Sequence, residues 1–304
     1  MKSTKEQLLL IQEKLNDLIE SDATQEDTIR DVNEILKGLG YNIQPAKDFV
    51  AENERILEKW RKSNEERGET NFADDGIMYR GKIEPIANGT ERYSNKEQEN
   101  KMWNKAPLRV LFSTKDQNAG GYDAWDVRGE TGNLSYAFFR NLMYQLYGLI
   151  NTKPGYKADY KFSNEEAIEL YNTFPIARIN AKKEAGGNSV SNNTLRFYID
   201  RDSELLKEQI LNLDADIFVC CGYSDYTEES GNLLLNFLNN KCHYNLIKQP
   251  DDDWIYYDEN QNKIAINNWH LSARKSSEEW YNQIIDAYYR FLENHPDFTK
   301  SHRK

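Results

Sequence analysis

A short apolar segment that changes abruptly into a polar loop is the strongest structural signal in the sequence. Residues 108–113 read LRVLFS, in which Arg109 is the only charged residue, and the polar segment KDQN follows at 115–118. An apolar run of this length is typical of a buried strand in a parallel sheet. Because ligands of open α/β sheets bind at the carboxyl ends of the strands, the sequence predicts that Asp116 lies at a ligand-binding edge.

Strand-like and helical segments alternate from this point to the end of the chain. Each short apolar run is followed by a segment with apolar residues at helical spacing. The alternation predicts an α/β fold, a three-layer α/β/α sandwich around a central, mostly parallel, four-stranded sheet. The predicted strands are 108–113, 174–180, 216–222 and 263–269, and the predicted helices are 135–149, 164–170, 202–213, 231–239 and 277–294.

The residues before this strand have a different character. Residues 1–67 are predicted to form an N-terminal helical extension, with two helices within 4–38 and a third at 48–66. Residues 68–106 are polar and are predicted to be a linker or surface loop, so the α/β domain would span 107–304. Two interpretations of the helices stay open: a packing or homo-oligomerisation extension, or a module that contacts a partner or DNA.

Composition excludes several classes of protein. No segment has the length and hydropathy of a membrane span, and the N-terminus does not resemble a signal peptide, so we expect a cytoplasmic protein without membrane contact. Its three cysteines, Cys220, Cys221 and Cys242, do not form a disulfide framework or a metal-ligand pattern, and we expect no metal or cofactor. The net charge of −11 counts against a broadly basic nucleic-acid surface but leaves room for a local basic groove.

Polar residues stand at the ends of three predicted strands. Asp116 and Asn118 follow the first strand, Asn180 ends the second, and His270 and Ser272 follow the last. In a parallel sheet these ends share one edge, so residues distant in sequence are expected to converge. Each also has an ordinary explanation, since an Asp after a strand often caps a helix and a His there is often only a hydrogen-bonded structural residue.

The order of these residues resembles the uracil-DNA glycosylase superfamily. Its first motif, GQDPY or GMNP, corresponds to TKDQN at 114–118, which aligns the family's Asp or Asn with Asp116. The Asn that ends the family's second strand corresponds to Asn180, and its HPS motif corresponds to HLS at 270–272. The resemblance covers residues 107–292, and both characteristic prolines are absent here.

The resemblance implies a monofunctional DNA glycosylase, which extrudes a pyrimidine from DNA and hydrolyses its N-glycosidic bond to leave an abasic site. Asp116 would stabilise the cationic sugar and position the water, and His270 would donate a hydrogen bond to the base carbonyl. The partner would be DNA. The residues expected to bind the base are Asn180, Asn118, Gln117, Tyr136 and Phe138, and those expected to bind DNA phosphates are Ser272, Arg274, Lys182 and Lys183.

One departure from the family bears on the substrate. The uracil-specific branch has a Tyr two places after the catalytic Asp, which blocks substituents on C5 of the pyrimidine, and this chain has Asn118 there. We therefore expect either uracil or a C5-modified cytosine, hydroxymethylated or glycosylated, as the substrate, in DNA repair or in antiviral defence against phages.

Two other classes remain as alternatives. The missing prolines and the acidic charge favour a non-catalytic nucleotide- or nucleic-acid-binding protein on the same fold. An unrelated doubly wound hydrolase has no support in the sequence, which lacks a GxSxG elbow, a P-loop and a GxGxxG motif after a strand.

Overall fold

The strand expected at residues 108–113 forms at Val110–Thr114 and lies in the middle of a mixed sheet. The computed structural model describes residues 47–80, 98–120, 122–187, 189–223, 231–250 and 252–299. The two helices predicted within residues 4–38 lie outside these ranges. The strands, in chain order, are β1 (Gly76–Ile77), β2 (Val110–Thr114), β3 (Ile176–Asn180), β4 (Ile217–Tyr223), β5 (Ile247–Lys248), β6 (Ile255–Asp258) and β7 (Lys263–Trp269).

The α/β class is confirmed, but the described sheet has seven strands instead of the predicted four. Its order is β1-β3-β2-β4-β7-β6-β5. The four predicted strands, β3, β2, β4 and β7, are its parallel centre, and β1, β6 and β5 add antiparallel edges. Sequence reasoning missed all three edge strands, because β1 and β5 have two residues each and β6 has four, which are too few for a clear periodic pattern.

Helices cover both faces of the sheet. One apolar core lies between the sheet and the helices that follow β2 and β7, and a second core lies on the opposite face. The helices in the described ranges are α1 (Phe49–Glu66), α2 (Glu99–Lys105), α3 (Ala137–Asn151), α4 (Asn164–Thr173), α5 (Asn192–Arg201), α6 (Ser203–Leu213), α7 (Leu233–Asn240) and α8 (Ser277–Asn294).

Helix α5 lies where the sequence predicted no helix, between the predicted strand at 174–180 and the predicted helix at 202–213. The side chain of Ser191 accepts a hydrogen bond from the backbone N–H of Thr194, which caps the first turn, and Leu195 and Ile199 are buried on one face of the helix. The amphipathic pattern spans only ten residues and was obscured by the polar asparagines that precede it.

The domain boundaries also differ from the prediction. Residues Asp48–Lys304 form one compact unit, so α1 belongs to the α/β domain and not to a separate extension. The physical reason is the apolar stripe of α1, in which Ile56, Leu57 and Trp60 are fully buried. Asp75, in the predicted linker, accepts a hydrogen bond from the backbone N–H of Asn180, so the 68–106 segment also contributes to the domain interior.

None of the helices in the described ranges combines the length and the apolar composition that a bilayer crossing requires.

Candidate functional site

The polar loops that follow β2 and β3 run side by side at the carboxyl edge of the sheet. The backbone N–H of Lys182 donates to the carbonyl of Lys115 at 2.9 Å, and Gly186 N–H donates to the carbonyl of Gln117 at 2.9 Å. These bonds extend the strand pairing beyond the sheet and fix Asp116 opposite Lys182. The aspartate oxygen Oδ2 lies 3.7 Å from Lys182 Nζ, and both side chains are more than nine-tenths buried.

Asp116 has a perturbed acidity. Burial raises its pKa above the ordinary value of 3.8, and the positive charges of Lys182 and Lys115 oppose that change. Perturbed carboxyl groups beside cations are concentrated at functional sites, although structural ion pairs also produce them. The geometry therefore provides a carboxylate with two neighbouring cations at the predicted edge.

Gly186 makes room for this carboxylate. A Cβ atom on Gly186 would lie 2.5 Å from Asp116 Oδ2 and 3.4 Å from Lys182 Nζ. The next residue, Gly187, has open space around the same position. The close approach at Gly186 fixes the position of the Asp116 side chain, and sequence reasoning had not singled out this glycine.

His270 follows β7 and is held as a neutral imidazole. Burial, with a smaller contribution from the charge of Lys115, lowers its pKa from 6.5 to about 4. The backbone N–H of Ser272 donates to His270 Nδ1 at 3.3 Å. Because Nδ1 accepts this bond, the proton of the neutral ring lies on Nε2. No described residue partners Nε2, which is therefore the donor that His270 can offer to a ligand.

Asn180 ends β3 and has an unsatisfied side chain. The residue is 2% exposed, its Oδ1 lies 2.7 Å from Thr114 Oγ1, and its Nδ2 has no hydrogen-bond partner among the described residues. A buried polar atom without a partner is costly and rare. The amide of Asn180 is therefore ready to hydrogen-bond to a ligand at this edge.

The ring of Phe138 lies close both to His270, which follows β7, and to Arg178 on β3. Its ring centroid lies 6.2 Å from that of His270, and the guanidinium carbon of Arg178, on β3, lies 5.2 Å from the same centroid. Phe138 is half-buried and offers an aromatic surface between the ends of β3 and β7. Tyr136, the other aromatic residue expected to bind the base, precedes α3 and is 63% exposed.

Two residues expected to bind the base make hydrogen bonds within the loop after β2. The side-chain amide of Gln117 donates to the carbonyl of Trp125 at 3.0 Å and accepts from its N–H at 3.2 Å, so both of its ends are occupied within the loop. Asn118 accepts a hydrogen bond from Gly120 N–H at 3.2 Å and is an exposed turn residue. The prediction of a direct contact with the base through the Gln117 side chain is not compatible with these bonds.

The structure contradicts the phosphate-binding role predicted for Lys183. Its ammonium group is completely buried and lies 2.7 Å from both oxygens of Asp75 and 2.8 Å from Gln209 Oε1. Lys182 is also buried, and donates to the carbonyl of Glu184 beside Asp116. The ammonium group of Lys183 is therefore sequestered in the interior by Asp75. Lys182 lies beside Asp116 at the candidate edge, and its phosphate-binding role stays a prediction.

Ser272 and Arg274 are exposed and lie in the loop between β7 and α8. This loop also contains His270, whose carbonyl accepts from Ala273 N–H at 2.7 Å. Both residues are therefore on the surface beside the candidate site, and their phosphate-binding role stays a prediction.

Sequence reasoning gave no role to Lys115 or Thr114. Lys115 donates to Asn192 Oδ1 at 3.2 Å, and burial lowers its pKa. The only sequence signal for either residue is its position beside Asp116 at the end of an apolar run.

A shallow groove lies at the opposite, amino edge of the sheet. It is formed by the end of α2 and the segment before β3, including Lys101, Lys105 and Phe174. The described residues that line it include no carboxylate and no imidazole, which are the usual groups for acid–base chemistry. The carboxyl edge is therefore the better candidate for a functional site.

The fold and site define an α/β protein with a carboxylate, an amide and a neutral imidazole at the carboxyl edge of a parallel sheet. Comparisons of the chain with protein-family models, curated proteins and solved structures found no match. Function is therefore argued from the site itself.

Proposed function

We propose that this chain is a monofunctional DNA base glycosylase. It extrudes a pyrimidine nucleotide, either uracil or a C5-modified cytosine, and hydrolyses the bond between C1′ of the sugar and N1 of the base. The product is an abasic site. The biological setting would be DNA repair or defence against phages with modified cytosines.

The observation that supports this proposal best is the grouping of Asp116, Asn180 and His270 at one edge of the sheet. Asp116 and His270 follow β2 and β7, and Asn180 is the last residue of β3, so the three lie at the ends of different strands of the parallel centre. They supply the three groups that the reaction needs: a carboxylate for the sugar, an amide for the base edge and a hydrogen-bond donor for the base carbonyl.

The chemistry follows from the charge that develops as the bond breaks. The electron pair of the C1′–N1 bond leaves with the base, so the sugar becomes cationic and the base becomes anionic. Asp116 stabilises the cationic sugar, orients the water that bonds to C1′ and accepts a proton from it, as carboxylates do in glycoside hydrolysis. The raised pKa of Asp116 makes the carboxylate a better proton acceptor than an exposed one.

His270 stabilises the other half of the separating charge. Its Nε2–H donates a hydrogen bond to the base carbonyl, where negative charge accumulates before solvent protonates the base. The low pKa of His270 keeps the ring neutral at physiological pH. The donor is therefore positioned before the reaction and needs no proton transfer of its own.

The loop after Asp116 leaves room at C5 of the pyrimidine. Asn118 and Gly120 are both exposed there, and no large side chain occupies the place of the family's Tyr. This supports modified cytosine as a substrate but does not separate it from uracil.

The experiment that tests the proposal is base release from DNA. Oligonucleotides with uracil, and phage DNA with modified cytosines, are incubated with the protein, and abasic sites are detected by alkaline cleavage. We expect cleavage by the wild type and a loss of about 100-fold or more in Asp116→Ala and His270→Ala. Asp123→Ala removes an exposed carboxylate from the same loop and is the matched control.

The alternative is a binding protein without catalysis, which the net charge of −11 and the absent motif prolines favour. It predicts no cleavage of any substrate, and equal DNA binding by the wild type and Asp116→Asn. Cleavage that is lost in Asp116→Ala but kept in Asp123→Ala excludes it.

A further inference from the structure

The hydrogen bonds of Thr114 determine which atom of Asn180 faces a ligand. Thr114 Oγ1 lies 3.0 Å from the backbone carbonyl oxygen of Ile179 and 2.7 Å from Asn180 Oδ1. Both of these atoms are acceptors, but a threonine hydroxyl has a single proton to donate. With the amide in this orientation, one of the two contacts has no hydrogen between its oxygens.

Rotating the Asn180 amide by half a turn removes this conflict. The amide then places Nδ2 beside Thr114, donates to Oγ1, and leaves the hydroxyl proton for the carbonyl of Ile179. Both distances are within the hydrogen-bond range for the new donor–acceptor pairs. The two orientations of an amide have nearly the same shape, so the hydrogen-bond network decides between them.

Before the rotation, Nδ2 of Asn180 has no partner among the described residues. After it, Oδ1 occupies that position and is the unpaired atom. Asn180 is 2% exposed, and a buried acceptor without a partner is costly. The unpaired group in the site is then an acceptor, and its natural partner is an N–H donor on the ligand.

We propose that Asn180 presents Oδ1 to the base and therefore selects pyrimidines with an exocyclic amino group. This inference rests on the proposed glycosylase function. At position 4 of the ring, cytosine has an amino donor, whereas uracil and thymine have a carbonyl acceptor. The substrate class is then cytosine and its C5-modified forms, and uracil is rejected because two acceptors would face each other.

The position of Phe138 is consistent with this assignment. Its ring lies close to both Arg178 on β3 and His270 after β7. In this proposal a base stacked on the ring lies between His270 on one side and β3, the strand of Arg178 and Asn180, on the other. The amide then reads position 4 while the imidazole binds the carbonyl at position 2, which cytosine and uracil share.

The test compares bases that differ only at position 4. Four otherwise identical oligonucleotides contain cytosine, uracil, 5-hydroxymethylcytosine or 5-hydroxymethyluracil, and base release is measured for each. Within each pair we expect kcat/KM for the amino base to exceed that for the oxo base by about 100-fold. Equal rates, or faster release of the oxo base, would overturn the inference while leaving the glycosylase proposal intact.

Binding of the same four oligonucleotides separates the two proposals if no base is released. Absence of release contradicts the glycosylase function. Tighter binding of both amino bases would still support the assignment of Oδ1, and equal binding within each pair would contradict it.

Variants at Thr114 test the cause of the selectivity. Thr114→Val removes the hydroxyl that orients the amide, so we expect the amino-to-oxo ratio to fall towards one. Thr114→Ser keeps the hydroxyl, is the matched control and should keep the ratio. The carboxylate of Asn180→Asp has only acceptors, so this variant should raise the amino-to-oxo ratio. An unchanged ratio in Thr114→Val would contradict the role of the hydroxyl.

The ratio distinguishes this role from a structural one. Both substrates are measured on the same preparation, so a loss of folded protein lowers both rates and cancels. Only a change in the group that faces position 4 of the base changes the ratio.

Discussion

His270 is the residue whose chemistry depends most on its surroundings. Burial and the charge of Lys115 lower its pKa to about 4, and the N–H of Ser272 fixes which nitrogen accepts. An exposed histidine would be partly protonated near neutral pH. The folded chain thus holds a neutral imidazole with its donor on Nε2, which a sequence motif alone does not specify.

The low pKa of His270 predicts a pH dependence of stability. In the unfolded chain the pKa of His270 returns to 6.5, so between pH 6.5 and 4 the folded state binds fewer protons than the unfolded state. The contribution of His270 to the free energy of unfolding is therefore complete above pH 6.5 and is lost as the pH falls through 4. Between about pH 7 and pH 5 we expect the wild type to lose about 2 kcal/mol more unfolding free energy than His270→Gln. Urea denaturation of both proteins at the two pH values measures this difference. Parallel losses would mean that His270 titrates normally.

At the scale of elements, the loops after β2 and β3 create the site by pairing with each other. Gly186 N–H and its carbonyl bond to the backbone of Gln117 and Ala119, at 2.9 and 3.1 Å respectively. The pairing brings Gly186 against the carboxylate of Asp116. The position of the carboxylate thus depends on a residue about 70 positions away in sequence, as expected where neighbouring parallel strands are joined by a crossover.

Gly186→Ala should reduce base release with little loss of stability. Its new Cβ would lie 2.5 Å from Asp116 Oδ2, so the carboxylate must move, and displacement of a catalytic group by about 1 Å costs about 100-fold in rate. Gly187→Ala is the matched control, because open space surrounds its Cβ. Base-release rates and thermal melting of both variants measure the effect. Equal rates would show that the close approach does not position Asp116.

A buried network of hydrogen bonds centred on Asp75 contacts the end of β3. Asp75 accepts hydrogen bonds from Lys183 Nζ, from Gln209 Nε2 at 2.8 Å and from the backbone N–H of Asn180 at 2.7 Å. Lys183 and Asp75 are both completely shielded from solvent. Breaking such a pair leaves an uncompensated buried charge, which costs more than replacing the whole pair by neutral groups.

Lys183→Met should therefore destabilise the fold by about 3–5 kcal/mol. The double variant Asp75→Asn/Lys183→Met removes both charges, and its loss should be smaller than the sum of the two single losses by about 1–3 kcal/mol. Urea denaturation of the four proteins gives this coupling energy. Additive losses, or a single loss below about 1 kcal/mol, would contradict a structural ion pair.

At the scale of the whole molecule, the α/β class and the parallel centre were predictable from the sequence, because β2, β3, β4 and β7 are short segments rich in apolar residues that alternate with helical segments. Asp116, Asn180 and His270 were placed at one edge by the same reasoning. The role of Lys183 was not predictable because its buried partner, Asp75, is distant in sequence. The role of Gln117 was not predictable because it depends on hydrogen bonds to the backbone of Trp125. Charge and position in the chain do not distinguish a lysine that binds phosphate from one that neutralises Asp75.

Because the chain is acidic, any DNA binding must depend on particular residues near the candidate site rather than on the net charge. A net charge of −11 repels a polyanion at long range, and the two lysines after β3 are buried. Among the residues predicted to bind phosphates, only Ser272 and Arg274 are exposed. DNA binding should therefore depend on few phosphate contacts. Of the two exposed residues predicted to make them, Arg274 is the cationic one.

Arg274→Gln should weaken binding of a DNA oligonucleotide and reduce the slope of log K against log salt by about 1, because one fewer counterion is released. Lys241→Gln is the matched control, since Lys241 is exposed and follows α7 at the opposite edge of the sheet. Fluorescence anisotropy over a series of salt concentrations gives both slopes. A slope that falls equally in the two variants would indicate a diffuse charge effect, and an unchanged slope in Arg274→Gln would remove the phosphate contact from the proposed DNA-binding surface. A reduced slope in Arg274→Gln alone would place the DNA backbone beside the loop that contains His270.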